Sequence, residues 1–125
     1  MTTHTVQDLA TETLRFLGKL EAQEEAAAED YAHIARVYRG KLAEWQMEDV
    51  GLAYWIEEEI PDEAFHYVYR LIAQDVASAY GTVPPTEMDD NGQMITCGLK
   101  GLRGLKRIMA RAPSGLPVTT FASFM

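Results

Sequence analysis

The chain has 125 residues, 47% of them hydrophobic, a single cysteine and a formal net charge of −8. That length fits one domain, that hydrophobic share excludes wholesale disorder, and one cysteine, Cys97, excludes an internal disulfide. The charge is split: the nineteen Asp and Glu all lie at or before Asp90, so residues 1–90 net −13, whereas residues 91–125 net +5.

A net negative body disfavours wholesale binding of nucleic acid, whose phosphates it would repel. The five late cations are Lys100, Arg103, Lys106, Arg107 and Arg111. An acidic body and a cationic arm attract each other, so the arm folds back on its own chain or reaches an acidic partner. The expectation is a partner. Met1–His4 shows no charged-then-apolar leader, and no apolar run approaches the roughly 18 residues of a membrane span. A protein made in a cytoplasm, with no membrane partner, is expected, and Cys97 reads as a small buried apolar residue.

The first helix is expected from Val6 to Leu17. Thr5 can cap it, with Asp8 in the capping-box position, and Val6, Leu9, Ala10, Leu14 and Leu17 form one apolar face. Gly18 stops it. The second helix is expected from Ala26 to Met47, with Tyr31, Ile34, Ala35, Tyr38, Leu42 and Trp45 inside a sector of roughly 100°. Glu29 and Asp30 suit its positive end.

Asp49-Val50-Gly51 breaks that helix. Leu52, Tyr54, Trp55 and Ile56 make an aromatic-rich connector expected to pack under the helices, and Glu57, Glu58 and Glu59 read as a solvated edge. The third helix starts at Ile60-Pro61-Asp62, because proline suits a first helical position. Phe65, Val68, Tyr69, Ile72, Val76, Ala79 and Tyr80 form its face, and Gly81 ends it before Pro84-Pro85.

Thr86 to Gly92 reads as a polar turn, with a fourth helix from Gln93 and Ile95, Leu99, Leu102, Leu105 and Met109 as candidates for its face. Gly98-Leu-Lys-Gly-Leu-Arg-Gly-Leu-Lys106 repeats glycine every third residue, at a cost of about 2–3 kcal/mol of helix propensity. Such a segment needs packing, and glycine permits close approach by another helix. The tail from Ser114 to Met125 alternates without a helical period and suits an extended strand; it spans about 40 Å when extended. With no hairpin mate in the chain, it is a candidate for strand addition to another subunit.

The chemical motifs are weak. Glu63-Ala-Phe-His66 and Asp30-Tyr-Ala-His33 have the spacing of carboxylate–histidine pairs that hold two metals in helical bundles. At about 100° per residue they point away from the apolar stripes and diverge, so no cofactor and no enzyme activity is expected. No nucleophile turn, P-loop or dinucleotide fingerprint occurs. The cations of 100–111 spread around a helix and lack interleaved aromatics, which weakens a DNA-binding reading.

One ordered series stands out: Thr5-Val-Gln-Asp8, Leu14-Arg-Phe-Leu-Gly18, Leu42-Ala-Glu-Trp45, Trp55, Ile60-Pro-Asp-Glu-Ala64 and Ala73 to Tyr80-Gly81. Over residues 5–81 this layout resembles the head-to-tail adaptor (head-completion or connector) proteins of tailed bacteriophages, particularly short-tailed ones. The glycine repeat and the tail lie outside the pattern. The resemblance implies a helical bundle assembled with itself as a ring, commonly of twelve copies, under the portal protein. It also implies a tail or nozzle protein below the ring, and a C-terminal segment that docks on the portal or a neighbouring subunit.

The expectation is therefore an all-α fold, a small bundle of about four helices with an extended C-terminal arm. Residues 1–92 form the bundle and residues 93–125 the basic helix and arm. The function expected is a structural, non-enzymatic virion adaptor through which DNA passes without specific binding. Partner contacts fall to Lys100, Arg103, Lys106, Arg107, Arg111, Leu116, Val118, Phe121, Phe124 and Met125. The alternatives are a small helical DNA-binding regulator using residues 100–111 and a di-metal bundle enzyme using Glu63 and His66.

Overall fold

Four helices and two small two-stranded sheets make up the described residues, 2–47 and 51–111, of the computed structural model. Helix α1 spans Val6–Phe16, α2 Ala28–Trp45, α3 Asp62–Val76 and α4 Cys97–Arg111. A 3₁₀ turn, Ala77–Tyr80, prolongs α3. Strand β1 (Thr3–His4) pairs antiparallel with β2 (Ile60–Pro61), and β3 (Thr86–Met88) with β4 (Met94–Thr96). The fold is mostly helical, as expected, but the four short strands were not foreseen.

Local chemistry sets the helix ends. The Thr5 side chain accepts the Asp8 amide N–H at 3.2 Å and Asp8 accepts the Thr5 N–H at 3.0 Å, a complete capping box on α1. At the other end Gly18 takes φ +77°, and its N–H and that of Lys19 reach back to the Arg15 and Leu14 carbonyls. A side chain there would be strained. Helix α2 starts at Ala28, two residues later than expected. Ala27 has no side-chain oxygen to cap with, so only Glu29 and Asp30 favour that end.

The core is one cluster. The expected stripe residues of α1 are all buried, as are Ile34, Ala35, Tyr38, Leu42 and Trp45 of α2 and Phe65, Val68, Ile72 and Val76 of α3. Each such aliphatic side chain contributes about 1.5–3 kcal/mol by leaving water. Helix α3 lies centrally, packed by α1 and α2 and by α4. On a 100° wheel, the residues meeting α4 (Tyr67, Arg70, Leu71, Gln74) lie roughly 150° from the centre of its Val68–Ile72 core stripe.

The connector divides instead of packing wholly inward. Leu52 and Trp55 are buried, while Tyr54 and Ile56 are exposed. Trp55 Nε1 donates to Tyr38 Oη at 3.1 Å, Tyr38 Oη donates to the Glu57 carbonyl at 2.9 Å, and Gln46 Nε2 donates to the Trp55 carbonyl at 2.8 Å. These bonds hold the connector along α2. The expected solvated edge is also partly engaged, since Glu58 accepts the Val6 N–H at the start of α1.

Two corrections concern the C-terminal third. Helix α4 begins at Cys97, not Gln93, because residues 86–96 form a hairpin. Gly92, at φ +81°, closes its turn with an N–H bond to the Asp89 carbonyl. And α4 meets α3 closely through Gly98, Gly101 and Gly104; of the leucines expected on its face, Leu105 is in the core and Leu102 packs against it, but Leu99 is exposed. A Cβ on Gly101 would sit 2.6 Å from the Tyr67 carbonyl oxygen. The close approach expected of the glycine repeat therefore occurs within the chain. Cys97 and Leu105 belong to the common core, so a boundary at residue 92 cuts a hairpin and not a domain junction.

Candidate functional site

The hairpin and α4 bring opposite charges together. Glu87 lies between Arg70 Nε, 2.7 Å away, and Lys100 Nζ, 3.9 Å away. Arg103 stands 3.4 Å from Asp89 and Arg107 3.5 Å from Asp90. Lys100 Nζ also donates to the Met88 carbonyl at 3.1 Å. Asp89 Oδ1 accepts the Gln93 and Asn91 amide N–H groups at 2.8 and 2.9 Å. Those backbone donors, first from Gln93, with Arg103 nearby, hold its carboxyl below the usual range. Between these groups and Tyr67 is a cleft of about 300 Å³.

This arrangement changes the reading of the sequence candidates. Lys100, Arg103 and Arg107, expected to reach an acidic partner, find acids of their own chain first. Arg103 and Arg107 are still about half exposed, so they can face a second surface as well. Lys106 is exposed and makes no ion pair among the described residues. Arg111 ends α4, and Leu116, Val118, Phe121, Phe124 and Met125 lie outside the described residues. For a DNA-binding reading of 100–111, Glu87, Asp89 and Asp90 set negative charge against the cations that phosphates would need.

The metal-pair candidates do not converge. Glu63 is exposed and accepts the Tyr54 hydroxyl at 2.8 Å, near the start of α3. His66 is exposed, whereas His33 packs edge-on to Tyr80, beyond the other end of α3. Among the described residues no group of three or more His, Cys, Asp or Glu side chains could hold a metal ion. Cys97 is fully buried, its Sγ 3.6 Å from Gln74 Oε1, and burial pushes its thiol pKa up, opposite to an activated thiolate.

A second groove of about 380 Å³ runs beside β1. His4 stacks on Phe65 at 3.9 Å and lies 2.7 Å from Asp62, with Arg15, Glu12 and His66 around it. The His4 bond holds the Asp62 carboxyl below the usual range.

The surface contains what sequence reasoning missed. The exposed large hydrophobics among the described residues fall into two sets: Met47, Tyr54 and Ile56 by the connector, and Val83, Met88, Met94 and Leu99 by the hairpin. Met88 and Met94 are cross-strand partners and are 58% and 61% exposed; Glu87 and Ile95, alternating with them, are only partly exposed. Ile56 is 63% exposed. Asn91-Gly92 was the available signal for the hairpin, and with it the outward methionines followed from strand alternation.

No described helix is long and apolar enough to cross a membrane. Comparison with protein-family models, with curated proteins and with solved structures finds no match to the chain.

Proposed function

We propose that the chain is a structural adaptor subunit that assembles with itself as a ring between the portal and the tail of a bacteriophage particle. The observation that carries this reading is the pair of separate exposed apolar sets, one on the connector and one on the hairpin. A ring subunit needs two different surfaces that fit each other, because only a heterologous contact repeats around an axis.

The residue series that resembles phage adaptors supports the reading too. Its segments fall at element ends: Gly18 after α1, Trp45 at the close of α2, Pro61-Asp62 at the start of α3 and Gly81 after the 3₁₀ turn. The arm's role is narrower than the sequence suggested. Residues 98–105 serve the bundle, so docking on the portal falls to residues 112–125 and to the exposed cations. An acidic ring lumen would let DNA slide past without adhering.

The test is electron microscopy of the chain mixed with portal rings of short-tailed phages. A ring seated on the portal is expected, with its loss when residues 116–125 are removed and the helical circular-dichroism spectrum is kept. A portal left bare by the intact chain overturns the reading.

A further inference from the structure

The chain has one asparagine, Asn91, and glycine follows it in the β3–β4 turn. Both residues are exposed. The Asn91 side-chain amide makes no hydrogen bond among the described residues, so it is free to turn onto its own backbone. Asparagine before glycine invites an intramolecular attack. The glycine nitrogen lies next to the asparagine carbonyl, and no Cβ shields it.

In this turn the attack has a gate, Asp89. Its Oδ1 accepts the Asn91 and Gln93 N–H groups at 2.9 and 2.8 Å. Its backbone carbonyl accepts the Gly92 N–H at 3.1 Å, and its own N–H donates to the Gln93 carbonyl at 2.8 Å. The nitrogen that must attack is therefore itself a donor in the closed turn. Arg103, 3.4 Å from the second Asp89 oxygen, helps to hold the carboxylate in place. Lys100, Arg103 and Arg107 line the cleft together with Asn91. Once the turn opens, they favour the negative charge that builds on the attacked carbonyl.

We infer that Asn91 is a site of self-modification, whose deamidation is gated by the Asp89 turn. The Gly92 nitrogen loses its proton, and its electron pair bonds to Asn91 Cγ. The Cγ–Nδ2 bond breaks, ammonia leaves with a proton, and a succinimide ring closes. Water then opens the ring at either carbonyl and gives aspartate or isoaspartate. Nothing is oxidised or reduced, and no cofactor takes part. Aspartate adds a negative charge beside the cleft cations and keeps the turn. Isoaspartate inserts a methylene into the main chain, which spoils the spacing between the Gly92 N–H and the Asp89 carbonyl. The hairpin's hold on α4 through Glu87, Asp89 and Asp90 then loosens. This modification is independent of the adaptor reading.

Mass spectrometry of the aged full-length protein tests it. The native chain, the chain in urea above its unfolding transition, and Asp89→Ala are incubated in the same neutral buffer, and the peptide containing Asn91 is followed. Losing a hydrogen bond to a charged group is worth roughly tenfold in an equilibrium. Asp89→Ala should thus convert about tenfold faster than the native parent, and the unfolded chain faster still. Conversion in every case should give both products at Asn91.

An unfolded chain that keeps its Asn91 amide overturns the inference. Equal rates in the native and unfolded chains remove the gate. So does Asp89→Ala that keeps its helical circular dichroism and converts no faster than the parent. If that variant unfolds, the native and urea-unfolded parent decide the gate between them. The isoaspartate form, isolated by chromatography, should lose amide protection in β3 and β4 and keep it in α1 and α2. Unchanged protection of the hairpin would show that the modification leaves its hold on α4 intact, and would overturn that half of the inference.

Discussion

Gln74 of α3 caps α4: its side-chain oxygen accepts the Gly98 amide N–H at 3.1 Å. Thr96 Oγ1 accepts the Leu99 N–H at 3.2 Å, so two of the helix's free N–H groups are satisfied at this end. The same contact forbids a side chain at Gly98, where a Cβ would lie 2.6 Å from Gln74 Cγ. Gly98→Ala should therefore destabilise the fold by about 1–3 kcal/mol through overpacking. Gln74→Ala should cost about 1–2 kcal/mol through the lost acceptor. Together the two changes should cost less than their sum, since Gln74→Ala removes the Cγ and Oε1 that the new methyl would meet at 2.6 and 3.0 Å and leaves only the Cβ at 2.9 Å. Urea unfolding of the four proteins checks this, and strict additivity would refute direct contact.

Gly101 and Gly40 make opposite predictions from one substitution. Both are helical, and alanine raises helix propensity by up to about 1 kcal/mol at either. At Gly40 a Cβ meets nothing within 4 Å, so Gly40→Ala should gain roughly 0.5–1 kcal/mol. At Gly101 it meets the Tyr67 carbonyl at 2.6 Å, a backbone atom that cannot rotate aside. Gly101→Ala should lose about 1–3 kcal/mol despite the better propensity. Denaturation midpoints moving in opposite directions are the expected result.

Signals that act over a few residues were legible in the sequence. Thr5 with Asp8, Gly18 and Gly81 mark ends that depend on their own backbone, and the stripes of α1 and α2 follow from period alone; Pro61, expected as the first helical residue, is instead the extended residue before α3, paired in β2. The face of α4 was not legible that way. Its leucine period points to Leu99, Leu102 and Leu105, of which Leu105 is buried and Leu102 packs on the core, but the glycines let α3 approach closely beside them and leave Leu99 exposed, a choice made by tertiary contact. Strands of two or three residues carry too little alternation to read. The ownership of the cations was open as well: opposite charges in a sequence show attraction, and only the hairpin's position brings Glu87, Asp89 and Asp90 to α4. Of the candidate site, the helical cations were named from sequence, but the outward Met88, Met94 and Ile56 were not.

Acid should loosen the β1–α3 junction. The His4 bond lowers the Asp62 carboxyl pKa from its ordinary 3.8. A carboxylate whose pKa is depressed by folding adds stability above its unfolded value and loses it as pH falls through the folded value. Wild-type stability should thus fall below about pH 4, with a flatter acid limb in Asp62→Asn. Unfolding midpoints between pH 2 and 6 give the measurement. Parallel acid limbs would show that the His4–Asp62 bond has no part in stability.

Arg70 and Glu87 join α3 to the hairpin at 2.7 Å, each side chain only 18% exposed. That burial sets this pair apart from the surface ion pairs, which contribute little on average. Arg70 is held further by its bond to the His66 carbonyl at 2.7 Å, and its guanidinium lies 5.6 Å from the centre of the Phe16 ring. Removing Glu87 leaves a fixed, partly buried cation without its anion, whereas removing Arg70 leaves an acid that Lys100 can still approach. Glu87→Ala should therefore cost more than Arg70→Ala loses electrostatically, about 1–3 kcal/mol by the scale of charged hydrogen bonds. Glu87→Gln should recover part of this because the amide oxygen can still accept from Arg70. Amide exchange separates a local effect from a global one. In Glu87→Ala the β3–β4 amides should lose protection well before those of α1 and α2, and uniform loss across the bundle would mean that the pair holds the whole fold and not the hairpin.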